Sequence, residues 1–149
     1  MKLNEALSGV RRLGFDTSPL IYFIEEHPRY VALVAEVVRR ITQAEISGIT
    51  SVVTLSEVLV RPLSHQDLRL QQRYRGILLN SVGFDTCPID TAVAERAAGL
   101  RVRYGLRLPD ALQVAVAIGE GCQALLTNDR RLGNVTDLRV LILDDLELA

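Results

Sequence analysis

Along the chain, short β-rich apolar runs alternate with longer stretches at helical spacing. Leu13–Phe15 reads as a short strand, and Pro19 then begins a short apolar helix over Leu20–Glu26 that stops before Pro28. In Arg29–Glu45 the apolar residues Val31, Val34, Ala35, Val38 and Ile41 fall on one helical face, and Gly48 ends the segment. Ile49–Val53 is apolar and β-branched enough for a buried strand, followed by a helix over Thr54–Arg61 that Pro62 should stop. Gln66–Ser81 predicts a charged helix with Leu68, Leu70, Ile77 and Leu78 inward. Phe84–Cys87 is a third strand, and Asp90–Tyr104 an amphipathic helix with an aspartate at its start. Pro109 opens the next helix at its first position, where a missing N–H costs nothing, and that helix runs to about Ile118. Ala124–Thr127 and Leu138–Leu143 are the last strands. Strands separated by helices imply βαβ units. The expected fold is a three-layer α/β/α domain spanning residues 1–149, with a central parallel sheet of about five strands.

Four acids stand where this pattern changes element. Asp16 ends the run Leu13–Phe15, and Glu57 follows Ile49–Val53 by one turn. Asp110 opens the segment Ala111–Ile118, and Asp129 follows the run Ala124–Leu126. Each has a local explanation. Asp16 can cap the helix after it. Glu57 lies three residues after Thr54, the spacing of a capping box. Asp110 sits in a first helical turn, where negative charge suits the dipole. Asp129 can close an Asx turn or cap a helix. Caps alone would scatter over both edges of a sheet, whereas these four all fall at the carboxyl edge, where open α/β sheets bind their ligands. Four carboxylates meeting there repel one another unless a cation sits between them. Mg²⁺ or Mn²⁺, both held by hard oxygen ligands, answers that need.

Composition narrows the picture. At 149 residues and 48% hydrophobic content the chain can bury one full core. The N-terminal MKLNEALSGVRR lacks the apolar region of a signal peptide, and the most apolar stretch, Ala111–Ile118, is far short of the ~20 residues of a membrane span. A cytoplasmic protein with no membrane association is expected. Cys87 and Cys122 show no metal-ligand spacing and are expected to be buried free thiols. His27 and His65 lie beside helix boundaries and read as surface residues. Net charge is −1, which excludes a polycation, yet 16 of the 17 basic residues are arginine. The arginine fork matches phosphate geometry, although a GC-rich genome yields the same bias.

The stretches Phe15-Asp16-Thr17-Ser18-Pro19-Leu20-Ile21, Thr54-Leu55-Ser56-Glu57-Val58, Leu106-Arg107-Leu108-Pro109-Asp110-Ala111 and Leu126-Thr127-Asn128-Asp129-Arg130-Arg131 resemble, in order and spacing, those of PIN domains. The likeness is greatest to the toxin of VapBC-type toxin–antitoxin pairs. The resemblance implies a metal-dependent ribonuclease with Asp16, Glu57, Asp110 and Asp129 as its acidic quartet. Mg²⁺ or Mn²⁺ would be bound by Asp16, Asp110 and Asp129 directly or through water, with Glu57 a ligand or the group that orients the attacking water. Thr17, Thr127, Asn128 and Arg130 would contact the RNA, and Arg107 and Arg131 flank the same place. Asp144 is a further candidate for the acidic rim, within an expected solvated tail that includes Asp145 and Glu147. The likeness also implies an antitoxin partner and a homodimer. The apolar face Leu20, Ile21, Phe23 and Ile24 would supply either that contact surface or ordinary core.

Three other kinds of domain place acids at the ends of strands. A receiver-like phosphoacceptor domain needs, by resemblance to that family, a lysine after the last strand, and Lys2 is the only lysine. A small-molecule phosphohydrolase would show Asp-x-Asp, and Asp16-Thr17-Ser18 lacks the second acid. A non-catalytic PIN module that binds RNA or protein is the remaining alternative, against which the intact acids argue.

Overall fold

Short strands separated by helices pair in parallel, because each crossover returns the chain to the edge it left. The computed structural model, which describes residues 1–148, follows that rule. Strands β1 (Arg12–Phe15), β2 (Ser47–Ser51), β3 (Phe84–Cys87), β4 (Ala124–Thr127) and β5 (Arg139–Ile142) form one sheet in the order β3-β2-β1-β4-β5. Every neighbouring pair is parallel. The chain winds outward from β1 in one direction as far as β3, then crosses back to lay β4 and β5 on the other side. The crossover therefore opens a crevice between the carboxyl ends of β1 and β4, where ligands of such sheets bind.

Among the described residues seven helices cover the sheet: α1 (Leu3–Ala6), α2 (Thr17–Ile24), α3 (Val31–Thr42), α4 (Val52–Ser64), α5 (Leu68–Asn80), α6 (Thr91–Tyr104) and α7 (Leu108–Gly119). The two-residue period of the strands divides the core into two layers. Leu13, Phe15 and Leu126 pack with Leu20, Val34, Val58 and Tyr74 on one face. Ile49 and Leu125 pack with Ala97, Leu100, Ala111 and Val114 on the other. Gly14 faces the second layer at close range. A Cβ there would stand 2.9 Å from the Cβ of Ala117, so α7 lies on β1 only because that position has no side chain.

The structure moves several sequence-based boundaries. β2 ends at Ser51 rather than Val53, because Ser51 caps α4 by accepting the Val53 N–H at 3.1 Å. That helix runs on through Pro62 to Ser64 instead of stopping before the proline. Pro62 lies in the last turn, and its carbonyl accepts from Asp67 N–H at 2.8 Å and from Gln71 Nε2 at 3.1 Å. In α5 Leu78 is buried and Leu70 and Ile77 pack against the core as expected, but Gln71 and Tyr74 are buried with them and Leu68 is 69% exposed. The acids after β5 are exposed as expected, but the segment that carries them is docked rather than a loose tail. The chain turns through a 3₁₀ segment, Leu143–Asp145, with Leu143 and Leu146 buried, and Glu147 pairs with Lys2 at 2.8 Å. Asp144 accepts from Tyr30 and pairs with Arg29 at 3.2 Å. His65 is exposed as expected, but His27 is half-buried against the rings of Tyr22 and Tyr30. Both cysteines are free thiols. Burial pushes the Cys122 thiol up to about 12 and the half-buried Cys87 up to about 11. Among the described residues, no helix is long and apolar enough to cross a membrane.

Candidate active site

The residue after each central strand is an acid or leads to one. Asp16 follows β1 directly and caps α2 by accepting the Thr17 N–H at 2.9 Å. Its other oxygen accepts from the Thr127 hydroxyl at 2.7 Å. Asp129 follows β4 by two residues and caps the 3₁₀ turn Arg130–Asn134 through the Arg131 N–H at 3.0 Å. Its own N–H donates to Thr127 Oγ1 at 3.0 Å, so one buried hydroxyl ties the two aspartates together. Asp110 stands in the first turn of α7 and Glu57 in the second turn of α4. No capping box forms at Thr54, since the cap of α4 is Ser51. Glu57 instead accepts from Thr17 Oγ1 at 2.7 Å.

All four acids line one open cleft of about 390 Å³ over the crossover crevice, together with Thr17, Tyr22, Arg107, Asn128 and Arg130. Exposure grades the cleft from floor to rim. Asp16 is 8% exposed, the side chains of Asp110 and Asp129 are 13% and 24% exposed, and Glu57 is open to solvent. The floor carries the electrostatic cost. Burial raises the Asp16 carboxyl above its ordinary value. The hydrogen bonds from Thr127 and Thr17 oppose that rise, and the negative charges of Asp110 and Glu57 add to it.

Nearer the rim the charge is balanced by arginine. Arg131 grips Asp129 through a shortest contact of 2.7 Å, and that hydrogen bond is the main reason the carboxyl lies below its ordinary value. Arg107 Nε pairs with Asp110 at 3.2 Å. Arg130 lines the cleft while reaching outward to Asp145 at 2.8 Å. The Asn128 side-chain oxygen Oδ1 accepts from the Asp144 N–H at 3.0 Å, which ties the cleft-lining Asn128 to the segment after β5.

Hard oxygen donors, with no histidine or cysteine among the lining residues, suit Mg²⁺ or Mn²⁺. The unbalanced charge around buried Asp16 also fits a cation. The arrangement is not a closed cage, because among the described residues no three His, Cys, Asp or Glu side chains converge on one point. Arg107 and Arg131 hold two of the carboxylates, so a cation would have to draw Asp110 and Asp129 away from them.

The sequence-based site residues thus meet at one place. Two have their hydroxyl protons committed inward, Thr127 to Asp16 and Thr17 to Glu57. The pattern reading missed Gln113 and Thr54, which lie buried beneath the acids. Gln113 had a visible signal, an amide in an otherwise apolar helix three residues after Asp110. The apolar face of α2 divides: Leu20 and Ile24 are core, Ile21 lines the cleft, and Phe23 lines an apolar cavity beside α3 and α5.

No curated protein matches the chain. Solved structures do. A VapBC2 structure from Rickettsia felis, bound to a promoter DNA fragment, superposes with a TM-score of 0.68 at 17% identity, covering 88% of this chain and 98% of that one. A toxin–antitoxin complex from Klebsiella pneumoniae gives 0.65 at 25% identity, over 89% and 97%. DNA-bound VapBC from Salmonella typhimurium gives 0.67 at 17% identity, over 90% and 98%. The family model of the PIN domain matches residues 15–138, from the end of β1 to the start of β5. That span takes in all four acids of the cleft, and the chain belongs to the PIN domain family.

Proposed function

We propose that this protein is a metal-dependent endoribonuclease that hydrolyses RNA phosphodiester bonds, acting in the cytoplasm as the toxin of a type II toxin–antitoxin pair. The observation that carries the reading is the gathering of four carboxylates, from four separate segments, into one cleft at the crossover of a parallel sheet. Asp16, Asp110 and Asp129 would hold Mg²⁺ or Mn²⁺, with Glu57 a further ligand or the group that orients the attacking water. A bound divalent ion supplies an activated water and neutralises charge on the phosphate. The protein does the rest. Thr127 fixes the Asp16 carboxylate, Thr17 fixes Glu57, and Asn128 and Arg130 sit where they can meet the RNA backbone. Arginine is suited to that contact, since phosphate contacts supply most non-specific affinity.

The toxin role, the antitoxin partner and a homodimer rest on the likeness to VapBC complexes. An open reading frame immediately upstream, ending in an arginine-containing tail, would support the pairing. The activity itself is tested by incubating the purified protein with a pool of structured RNAs and Mg²⁺ or Mn²⁺, beside EDTA and Asp110→Asn controls. Cutting that both controls abolish supports the nuclease. A folded protein that neither cuts nor binds metal overturns it and leaves a PIN module that only binds RNA or protein.

A further inference from the structure

A chain of buried polar side chains runs beneath the cleft and ends on Glu57. It starts at the cap of α4, where Val53 N–H donates to Ser51 Oγ. Ser51 Oγ lies 2.6 Å from Gln113 Oε1, and the Gln113 amide nitrogen lies 2.6 Å from Thr54 Oγ1 and 3.3 Å from Thr17 Oγ1. Thr17 Oγ1 lies 2.7 Å from Glu57 and 3.1 Å from Thr54 Oγ1. Ser51, Thr54 and Gln113 are 0%, 0% and 3% exposed, so none of them can reach RNA.

From Ser51 through Gln113 and Thr17 to Glu57 the protons run in one direction. A carboxylate only accepts, so the Thr17 hydroxyl must donate to Glu57. Thr17 Oγ1 in turn accepts from the Gln113 amide, and Thr54 Oγ1 accepts from the same amide while also meeting Thr50 Oγ1 at 2.9 Å. The Ser51 hydroxyl needs an acceptor, and Gln113 Oε1 is the one it meets, which turns the Gln113 NH₂ toward both threonines. The donors of Ser51, Gln113 and Thr17 therefore run in series toward the cleft. Hydrogen bonds aligned in this way polarise one another, and a buried chain with no missing partner is rigid. Among the described residues no buried side-chain polar atom lacks a partner.

We infer that Gln113 is a positioning residue for the active site: through Thr17 it directs a hydrogen bond at Glu57 and keeps that exposed carboxylate turned into the cleft beside Asp16. Glu57 needs such a hold. It stands on the rim, and among the four acids of the cleft it and Asp16 have no arginine partner, but Asp16 is fixed by burial and two hydrogen bonds. The same chain couples α7, which carries Asp110, to α2 and α4, which carry the groups around Asp16 and Glu57. The inference rests on the nuclease reading and assigns it a residue that touches neither metal nor RNA.

The test is a titration with Mn²⁺ alone, followed by electron paramagnetic resonance, on wild type, Asp110→Asn, Gln113→Met, Thr17→Val and Thr17→Ser, with thermal unfolding and cleavage of the RNA pool measured alongside. Groups that orient a ligand typically cost about 10- to 100-fold in metal affinity or activity when removed. Gln113→Met and Thr17→Val should lose affinity and cleavage on that scale while still unfolding cooperatively, and Thr17→Ser, which keeps the hydroxyl, should restore both. Wild-type Mn²⁺ affinity in Gln113→Met overturns the role, whatever its thermal stability, and so does a Thr17→Ser variant as impaired as Thr17→Val. Should Gln113→Met fail to fold, the Thr17 pair decides alone. Wild-type protein that binds no Mn²⁺ and cuts no RNA overturns the nuclease reading itself, and this role with it.

Discussion

The two edges of the sheet use the same residue type in opposite ways. At the amino edge, Arg12 Nη1 donates to the Glu120 carbonyl at 2.8 Å, and Arg139 Nη1 donates to the carbonyls of Ala6 and Ser8 at 2.8 and 3.0 Å. Gln123 Oε1 accepts the backbone N–H groups of Arg11 and Arg12 at 2.9 and 2.8 Å. Those polar groups close off backbone ends. At the carboxyl edge, Arg107 and Arg131 pair instead with carboxylates that share a cleft with a third, buried acid. An arginine on a carbonyl is a fastener. An arginine on a carboxylate that also faces an unbalanced negative charge is a counter-ion, and a counter-ion can be exchanged. Composition alone does not separate the two, because the difference lies in the partner.

The comparison breaks most completely at Asp16. Asp16→Asn keeps the acceptor that caps α2 but removes the charge on the cleft floor. Cleavage of the RNA pool should fall by about 10³-fold, since a metal site supplies several kcal/mol of transition-state stabilisation. Without metal the same variant should unfold at a higher temperature than wild type near neutral pH. The sign follows from the raised carboxyl. Asp16 binds its proton more tightly folded than unfolded, so ionisation costs stability as pH rises from 3.8 through the folded value. Thermal melts of the two proteins should therefore converge as the pH is lowered through that window and separate above it. Asp16→Ala, which loses the cap, should lose about 1 kcal/mol instead.

At the opposite edge Gln123→Ala should leave Mn²⁺ binding and cleavage unchanged and lower stability by about 1 kcal/mol, or roughly 3 °C in melting temperature. An effect on metal binding would show that the edges are not independent. The smallest effect belongs to Arg131→Gln. The pair it breaks is largely exposed, so freeing Asp129 should tighten Mn²⁺ binding by no more than about fivefold, while affinity for RNA declines. Calorimetric titration reads the first and a filter-binding assay the second. Weaker Mn²⁺ binding in this variant would mean that Arg131 shapes the site rather than balances it.

Most of the fold was legible because strand and helix periods differ and each β run is short. Phe84–Cys87 and Ala124–Thr127 match the observed strands in full. The errors arose where a side chain bonds its own backbone: Ser51 pulled the start of α4 back to Val52, and Asp67 set the start of α5 at Leu68, which left Leu68 outside. The acids were legible for the opposite reason, as charges at positions where the pattern changes element. What spacing could not give was direction. Thr17 and Thr127 stand beside the acids as the sequence suggested, but their hydroxyl protons turn inward to carboxylates, a fact set by residues far away in the chain. Gln113 joins Ser51 across 62 positions and Thr17 across 96, which no local window contains.

Gly14 lies two residues before Asp16, and its partner Ala117 lies seven after Asp110. The contact between them sets how low α7 rides on β1, and so how far apart the two aspartates stand. The width of the cleft is thus gauged by an atom that is not there. A hydrogen in place of a methyl group acts as the thinnest available shim, and the chain writes the dimension of its site into a position that carries no chemistry of its own.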